Sequence, residues 1–309
     1  IIKTNAKKEK LSIRNDITPQ IIRIASSRLS NSNRPLKLCY YGEVIRKKGT
    51  ILRPERQFQQ VGAEIIGSES YKADVEIINL AYNTLKSIGI KNIVIEISAP
   101  FFLDSVLNQI KDKKLITNLK QLIQLKDINS CLKLNKNSEI NKILKILYSC
   151  SGSIKHNKFK ISKLSKIIGF ESEVKRLIKI ANLINVSKND IINIDFFEIS
   201  KNKNYYKGIK FNFFAKNVRG EIAGGGRYQL RYGANSETAI GYTCYMDTIL
   251  RASSFISHDK KVLVPFDINN KTKKDLIKKG YSLFKSFDEN VNLKKEAKKY
   301  GIQYFLSKK

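Results

Sequence analysis

The sequence predicts an α+β fold in which helices flank an antiparallel sheet, with a helical insertion and a small C-terminal α/β tail. Three observations predict it. Within the strand predicted over residues 56–67, Gln60, Gly62 and Glu64 alternate with the apolar Val61, Ala63 and Ile65, as a half-buried strand requires. Residues 100–195 are nearly free of glycine and repeat apolar residues every three or four positions, as helices do. The last 50 residues alternate short apolar runs with helical segments, which indicates a βαβαβ unit.

The core elements are predicted over residues 1–99 and 196–256. Thr18 is suited to cap a first helix, and Pro19 suits the first helical turn. Apolar spacing and the nearby glycines and prolines predict the other elements. These are strands over 35–41, 44–46, 56–67 and 92–98, a loop over 49–54, and a helix over 73–88 that stops near Gly89.

The insertion is predicted over residues 100–195 and the tail over 257–309. The apolar stripes of the insertion are interpreted as core rather than as a binding groove. They predict helical segments at 103–110, 116–125, 140–147, 164–168 and 174–183. The tail is predicted to contain strands at 261–265, 281–284 and 302–305, with helices at 272–279 and 293–299.

Composition narrows the classes of function. The formal net charge is +31, which raises the question of nucleic-acid binding through counterion release. The excess is almost all lysine, spread along the chain without interleaved aromatic residues, so a solvated surface is favoured over a specific nucleic-acid site. No apolar run approaches 18 residues and no signal peptide is visible, so neither a membrane span nor secretion is predicted.

The four cysteines are scattered, without a CxxC pair or a Cys/His spacing typical of a metal site. Neither a disulfide framework nor a zinc site is therefore predicted. Reduced thiols in the cytoplasm are the simple account. No cofactor is expected.

Three separated segments carry polar residues in a pattern suited to a ligand pocket. They read IRNDIT at 13–18, RPERQFQQVGAEIIG at 53–67 and GGGRY at 224–228. In the second segment, Gln60, Gly62 and Glu64 point to one face of the predicted strand. For that segment alone, a surface strand with a solvated face is an equally good interpretation.

Together these segments resemble the histidyl-tRNA synthetase family of class II aminoacyl-tRNA synthetases. Residues 13–18 resemble the Arg-Pro-Asp/Glu-x-Thr turn of that family, and residues 44–67 resemble its motif 2. Residues 205–228 resemble its second histidine-specific block. The resemblance implies the class II fold. It also implies a motif 1 dimer seam, which is missing before Asp16 and through which self-association is expected.

The resemblance implies a histidine pocket. Asp16, Thr18, Gln60 and Glu64 would surround the amino group and the ring. Arg46 or Arg227 would neutralise the carboxylate, since a guanidinium pairs with it through two hydrogen bonds. The aromatic positions of the implied pocket are Tyr205, Tyr206 and Tyr228.

Some of these residues have simpler interpretations. Asp16 is also placed to cap the following helix, and Tyr205 and Tyr206 are also suited to a core edge. Gly224 to Gly226 are predicted to form a tight turn or bulge rather than a phosphate cradle.

Three positions depart from the synthetase pattern. Lys201 replaces the catalytic arginine, Thr248 replaces the motif 3 arginine that contacts the ATP phosphates, and Lys48 replaces the motif 2 glutamate. Threonine cannot form a guanidinium fork, and lysine offers only a point charge. Losing one such donor typically costs a factor of about 10² to 10³ in rate. Adenylate formation is therefore expected to be lost while the amino-acid pocket stays, with Lys201 taking part of the lost arginine's role.

This pattern resembles the regulatory subunits of ATP phosphoribosyltransferase, a family of synthetase paralogues. The resemblance implies a non-catalytic protein that partners the short catalytic subunit at the first step of histidine biosynthesis, with L-histidine as feedback effector. Two alternatives stay open. A divergent histidine–tRNA ligase would catalyse histidine-dependent ATP–pyrophosphate exchange, and an RNA-binding relative would bind RNA with a steep salt dependence.

Overall fold

The structure, a computed structural model, describes residues 2–3, 10–11, 13–49, 51, 54–168, 171–199, 206–232, 235–253, 260–288 and 292–306. The chain divides into two compact units, residues 1–254 and 255–309. No helix within these ranges is long and apolar enough to cross a lipid bilayer.

The first unit begins with the short strands β1 (Ile2–Lys3) and β2 (Lys10–Leu11), and its sheet and helices follow. The strands are β3 (Leu36–Ile45), β4 (Gln57–Ile66), β5 (Ile93–Ser98), β6 (Gly152–Ser153), β7 (Ile191–Asp195), β8 (Tyr206–Ala215), β9 (Ala223–Tyr232) and β10 (Asn235–Tyr245). The helices are α1 (Thr18–Ser26), α2 (Tyr71–Ser87), α3 (Pro100–Leu107), α4 (Lys113–Gln124), α5 (Ile128–Leu134), α6 (Ser138–Cys150), α7 (Ile154–Ile168), α8 (Glu171–Leu183) and α9 (Met246–Ala252).

Among the described residues, eight strands form one sheet in the order β3-β4-β10-β9-β8-β5-β7-β6. Neighbouring strands are antiparallel except β5 and β7, which run parallel. The predicted fold class is confirmed. Strand β7 was not predicted and lies inside the segment assigned to helices. Five residues of mostly apolar character do not distinguish a buried strand from a helical stripe.

The insertion helices and the sheet share one hydrophobic core. Phe102, Leu144 and Leu177 from the insertion belong to the same buried cluster as Ile95 and Phe211 from the sheet. Each of these side chains is at most 1% exposed. The apolar stripes of the insertion are therefore core, as predicted, and the insertion belongs to the first compact unit.

Helix α1 packs on the sheet through a second buried cluster, which contains Ile17 and Ile21 together with Tyr40 and Phe58. The helix starts at Thr18 with a proline in its first turn, as predicted. The prediction that Thr18 caps the helix is wrong, because the N-cap is Ile17 and no side chain caps it. The Thr18 hydroxyl instead bonds to side chains on the sheet.

The second unit contains the strands β11 (Lys260–Val264), β12 (Tyr281–Lys285) and β13 (Tyr304–Phe305) and the helices α10 (Asn270–Lys278) and α11 (Leu293–Lys299). Its strands are parallel in the order β12-β11-β13. Leu263, Ala297 and Ile302 form its small core. The chain order of these elements is the βαβαβ pattern predicted from the sequence.

Candidate functional site: a polar cavity on the central sheet

A cavity of about 330 Å³ lies over β4, β9 and β10, where the N-terminal turn of α1 approaches the sheet. Its lining contains six of the nine residues predicted for the pocket. These are Asp16, Thr18, Arg46, Gln60, Glu64 and Tyr228.

The pairing of β4, β9 and β10 explains why these side chains meet. Glu64 lies opposite Gly241 on β10, and Gly241 lies opposite Gly226 on β9. A Cβ atom at Gly241 would overlap the Glu64 carboxylate, so only glycine leaves room for that side chain. Because Gly241 and the glycines of β9 have no side chains, the floor of the cavity consists of backbone atoms.

Gly224 to Gly226 lie within β9, near its start, rather than in a turn or bulge, so that prediction is wrong. Their pairing with β10 is regular, and the register shift lies on β8, between Tyr206 and Lys210. A Cβ atom at Gly225 would come 2.7 Å from the Phe211 ring. The glycines therefore serve close packing inside the sheet.

Glu64 is the most buried acidic group of the cavity, with 2% of its surface exposed. The Tyr228 hydroxyl donates to its Oε2 at 2.8 Å, and the Thr18 hydroxyl donates to its Oε1 at 3.2 Å. No lysine, arginine or histidine of the described residues forms an ion pair with it. Burial, reinforced by the nearby Asp16, raises the pKa of Glu64 to about 8.

Tyr40 supports this arrangement from β3. Its hydroxyl lies 2.6 Å from the Thr243 hydroxyl and 3.4 Å from the Thr18 hydroxyl. Burial and the Glu64 carboxyl raise the Tyr40 pKa, so Tyr40 stays neutral. Neither Tyr40 nor Thr243 was predicted as part of the pocket, because only the strand register places both beside Gly62.

Asp16, Gln60 and Arg46 also line the cavity, beside the turn before α1. The Gln60 side-chain oxygen accepts from the Ile17 backbone N–H at 3.3 Å, which fixes the turn before α1. Burial raises the pKa of Asp16, and the Arg46 charge opposes that effect. Asp16 also accepts a long hydrogen bond of 3.4 Å from the Thr18 backbone, so the capping interpretation survives only as a weak contact.

Arg46 is half-buried and stacks on two aromatic rings. Its guanidinium carbon lies 4.8 Å from the centre of the Phe58 ring and 5.6 Å from that of Tyr245. Stacking holds the guanidinium plane while leaving its N–H groups able to donate. The two aromatic rings thus fix the position of the Arg46 guanidinium in the wall of a cavity that also contains two carboxyl groups.

Arg227 does not line the cavity, so the interpretation of Arg227 as a pocket residue is corrected. It alternates with Tyr228 along β9 and points to the opposite face of the sheet. There its guanidinium pairs with Asp74 at 2.7 Å, while Arg176 binds the other carboxylate oxygen of Asp74 at 2.6 Å. Arg227 therefore joins the sheet to α2 and α8.

Three predicted positions, Lys201, Tyr205 and Tyr206, precede or begin β8. Lys201 and Tyr205 lie outside the described residues. Tyr206 pairs with Tyr228 at the start of β8. The departures from the synthetase motifs are placed: Lys48 is exposed, whereas Thr248 is fully buried and absent from the cavity lining.

A neighbouring cavity of about 510 Å³ shares Gly224, Gly225 and Tyr245 with the first. Glu96, Asp195 and Glu198 bring carboxylate oxygens within 4.8 Å of one another there. Lys126 pairs with Asp195, and Lys210 pairs with Glu198. The two lysines neutralise part of this cluster.

Comparison with known proteins decides the family. The family model of histidyl-tRNA synthetase matches residues 2–249. The ATP phosphoribosyltransferase regulatory subunit of Rhodospirillum centenum is 30% identical over 94% of this chain and 75% of that protein. That of Thermoanaerobacter pseudethanolicus is 30% identical over 91% of this chain and 71% of that protein.

The chain belongs to the family of ATP phosphoribosyltransferase regulatory subunits. The resemblance inferred from the three sequence segments is confirmed.

Solved structures show the same fold at lower identity. An ATP phosphoribosyltransferase regulatory subunit/histidyl-tRNA synthetase from Bacillus halodurans C superposes with a TM-score of 0.74 at 19% identity, covering 95% of this chain and 78% of that one. A chain of the ATP phosphoribosyl transferase (HisG:HisZ) complex from Thermotoga maritima gives a TM-score of 0.60 at 19% identity, covering 79% of this chain and 84% of that one. The class II synthetase-like fold is thus established for this regulatory subunit.

Proposed function

We propose that this regulatory subunit makes no product itself, activates a short-form ATP phosphoribosyltransferase catalytic subunit, and binds L-histidine as feedback effector in the cavity around Glu64. Family membership supports the partnership, as does the Thermotoga maritima complex with its similarly folded chain. The four cysteines are free thiols, which suits a cytoplasmic protein. Self-association through motif 1 remains part of the proposal.

The observation that carries histidine binding is the set of charged and polar groups that line the cavity together. Glu64 lines it with its hydroxyl partners Thr18 and Tyr228, and Asp16, Gln60 and Arg46 belong to the same lining. A zwitterionic amino acid with a basic ring presents the complementary set. Its ring nitrogens meet Glu64, its ammonium meets Asp16 and Gln60, and its carboxylate meets Arg46.

The placement of the motif departures supports a non-catalytic role. Arg46 remains, but no second arginine of the described residues lines the cavity. Thr248, at the position of the ATP-phosphate arginine, is fully buried. A transferring phosphoryl group needs several positioned cations, so this cavity favours amino-acid binding without activation.

The test is phosphoribosyl-ATP formation by a short catalytic subunit from the same genome, with and without this protein. We expect stimulation by the chain and its reversal by added histidine. Histidine-dependent ATP–pyrophosphate exchange by the chain alone would instead establish the ligase alternative. Stimulation that histidine does not reverse would keep the partnership and remove the effector site from this cavity.

A further inference from the structure

The buried end of the cavity contains a carboxyl group with no counter-ion in the described part of the chain. The groups that face Glu64 are the hydroxyls of Thr18 on α1, Tyr40 on β3 and Tyr228 on β9. Asp16, which is also acidic, raises the pKa of Glu64 further. The Arg46 charge favours the ionised form of Asp16.

Such a group has two favourable states. A buried carboxylate without a cation is costly, so Glu64 in the empty cavity is a neutral acid at pH 7, in line with its pKa of about 8. A ligand that brings a cation to the same place makes the carboxylate favourable, because the charge is then paired where water is excluded.

We propose that Glu64 transfers its proton to the ring of bound histidine, so that the cavity holds an imidazolium paired with a carboxylate. This inference rests on the proposed binding of histidine in this cavity. The O–H bond of the Glu64 carboxyl breaks and an N–H bond forms on a ring nitrogen. The proton moves between the two groups, and no other reactant is needed.

The magnitudes allow the transfer. Without any interaction between the groups, a proton on a carboxyl of pKa about 8 would move to an imidazole of pKa about 6.5 at a disadvantage of roughly 30-fold, and burial of the ring increases that disadvantage. An opposite charge within about 4 to 6 Å typically lowers a carboxyl pKa by about 1 to 3, and this one attraction stabilises the imidazolium and the carboxylate together. The upper part of that range outweighs the disadvantage. Tyr228 and Thr18 stabilise the carboxylate of the ion pair further, because the hydroxyl of each already donates a hydrogen bond to a carboxylate oxygen.

The transfer has a selective consequence for ligands. A ring that cannot hold a proton leaves Glu64 as a neutral acid and gains no ion pair. Thiazol-4-ylalanine has a ring of similar size that is a far weaker base than imidazole. We expect it to bind this chain at least tenfold more weakly than histidine at pH 7.5.

Proton counting alone does not locate the proton, because a neutral acid beside a neutral ring holds the same number of protons as the ion pair. Nitrogen NMR locates it. Histidine labelled with ¹⁵N in the ring is bound to the full-length chain at pH 7.5, where the free ring is about nine-tenths neutral. We expect the bound ring to show the two near-equal nitrogen shifts of imidazolium.

Glu64→Gln is the matched variant, and Glu76→Gln on the exposed surface of α2 is the control. Histidine bound to the Glu64→Gln chain should show the separated shifts of a neutral ring, whereas Glu76→Gln should match the wild type. Since the wild-type spectrum is decisive by itself, a variant that fails to fold does not weaken the test.

The possible results separate the two proposals. A bound but neutral ring in the wild type would overturn the proton transfer and leave histidine binding intact. Absence of any bound signal, with a folded chain at saturating histidine, would overturn both the transfer and the histidine pocket. Stimulation of the catalytic subunit would still be measurable in that case and would test the partnership separately.

Discussion

Tyr228 on β9 donates a 2.8 Å hydrogen bond to Glu64 on β4, across the intervening strand β10. The bond passes over Gly241, where any side chain would fill the space between the two residues. Three strands thus cooperate to hold one buried carboxyl group. The register of these strands therefore determines which side chains meet in the pocket.

Gly241→Ala is expected to disrupt the pocket. The added methyl group overlaps the Glu64 carboxyl group, so either the side chain or β10 must move. We expect a loss of about 1 to 3 kcal/mol in the free energy of unfolding and at least tenfold weaker histidine binding by calorimetry. Gly280→Ala, in the C-terminal unit with open space around it, controls for the loss of a glycine, although its positive φ makes that change mildly strained. Unchanged histidine affinity in a folded Gly241→Ala chain would show that the space above Gly241 is not needed for histidine binding.

Arg46 is expected to recognise the ligand carboxylate. Histamine lacks that group, so wild-type chain should prefer histidine over histamine, and Arg46→Gln should remove most of that preference. A charge-assisted hydrogen bond contributes about 1.5 to 3 kcal/mol, which corresponds to roughly 10- to 150-fold in affinity. Competition binding of histidine and histamine measures this preference. Lys47→Gln, on the exposed neighbouring residue, should leave the preference intact. An equal loss of preference in Lys47→Gln would mean that Arg46 acts only through its long-range positive charge and does not bind the carboxylate directly.

Asp74 is expected to be a structural anchor. It is fully buried and pairs with both Arg227 and Arg176, so Asp74→Ala leaves a buried guanidinium without its partner. Removing one partner of a buried pair typically costs about 3 to 5 kcal/mol. Chemical denaturation should show a loss of this order, with Glu139→Ala on the exposed surface of α6 as the near-neutral control. A loss below about 1 kcal/mol would mean that the Arg227 network contributes little to the fold.

Stability should depend on pH through Glu64. Its pKa is about 8 in the folded chain and near 4.5 when unfolded, so the folded state holds the extra proton between these values. The contribution of Glu64 is therefore fully present below pH 4.5 and is lost as pH rises towards 8, by at most about 1.4 kcal/mol per pH unit. Denaturation of wild type and Glu64→Gln from pH 5 to 8 should show the variant gaining relative stability as pH rises. A constant difference would mean that the carboxyl is already ionised when the cavity is empty.

The pocket was predicted mainly through the resemblance to the synthetase family, which placed Asp16 and Thr18 beside Gln60 and Glu64. Strand alternation alone predicted only that Gln60 and Glu64 share one face. Arg227 shows the limit of reading a motif without its geometry. It is adjacent to Tyr228 in a strand, and alternation therefore prevents both side chains from facing the same ligand.

Features that depend on pairing between distant segments were not predictable. Tyr40 reaches Thr18 only because β3 lies beside β4, and β7 is a strand only because it lies beside β5. The run Gly224 to Gly226 was predicted to form a tight turn or bulge, because a strand rather than a helix was expected around it. Its actual role, close packing within β9, requires knowledge of the neighbouring strands.

The most direct measurement is histidine inhibition of phosphoribosyl-ATP formation by the catalytic subunit assembled with wild type, Glu64→Gln or Glu76→Gln chains. All three chains are expected to stimulate the catalytic subunit. Glu64→Gln should raise the histidine concentration for half-inhibition at least tenfold, while Glu76→Gln should leave it unchanged. Equal inhibition of the wild-type and Glu64→Gln assemblies would contradict the assignment of this cavity as the histidine sensor.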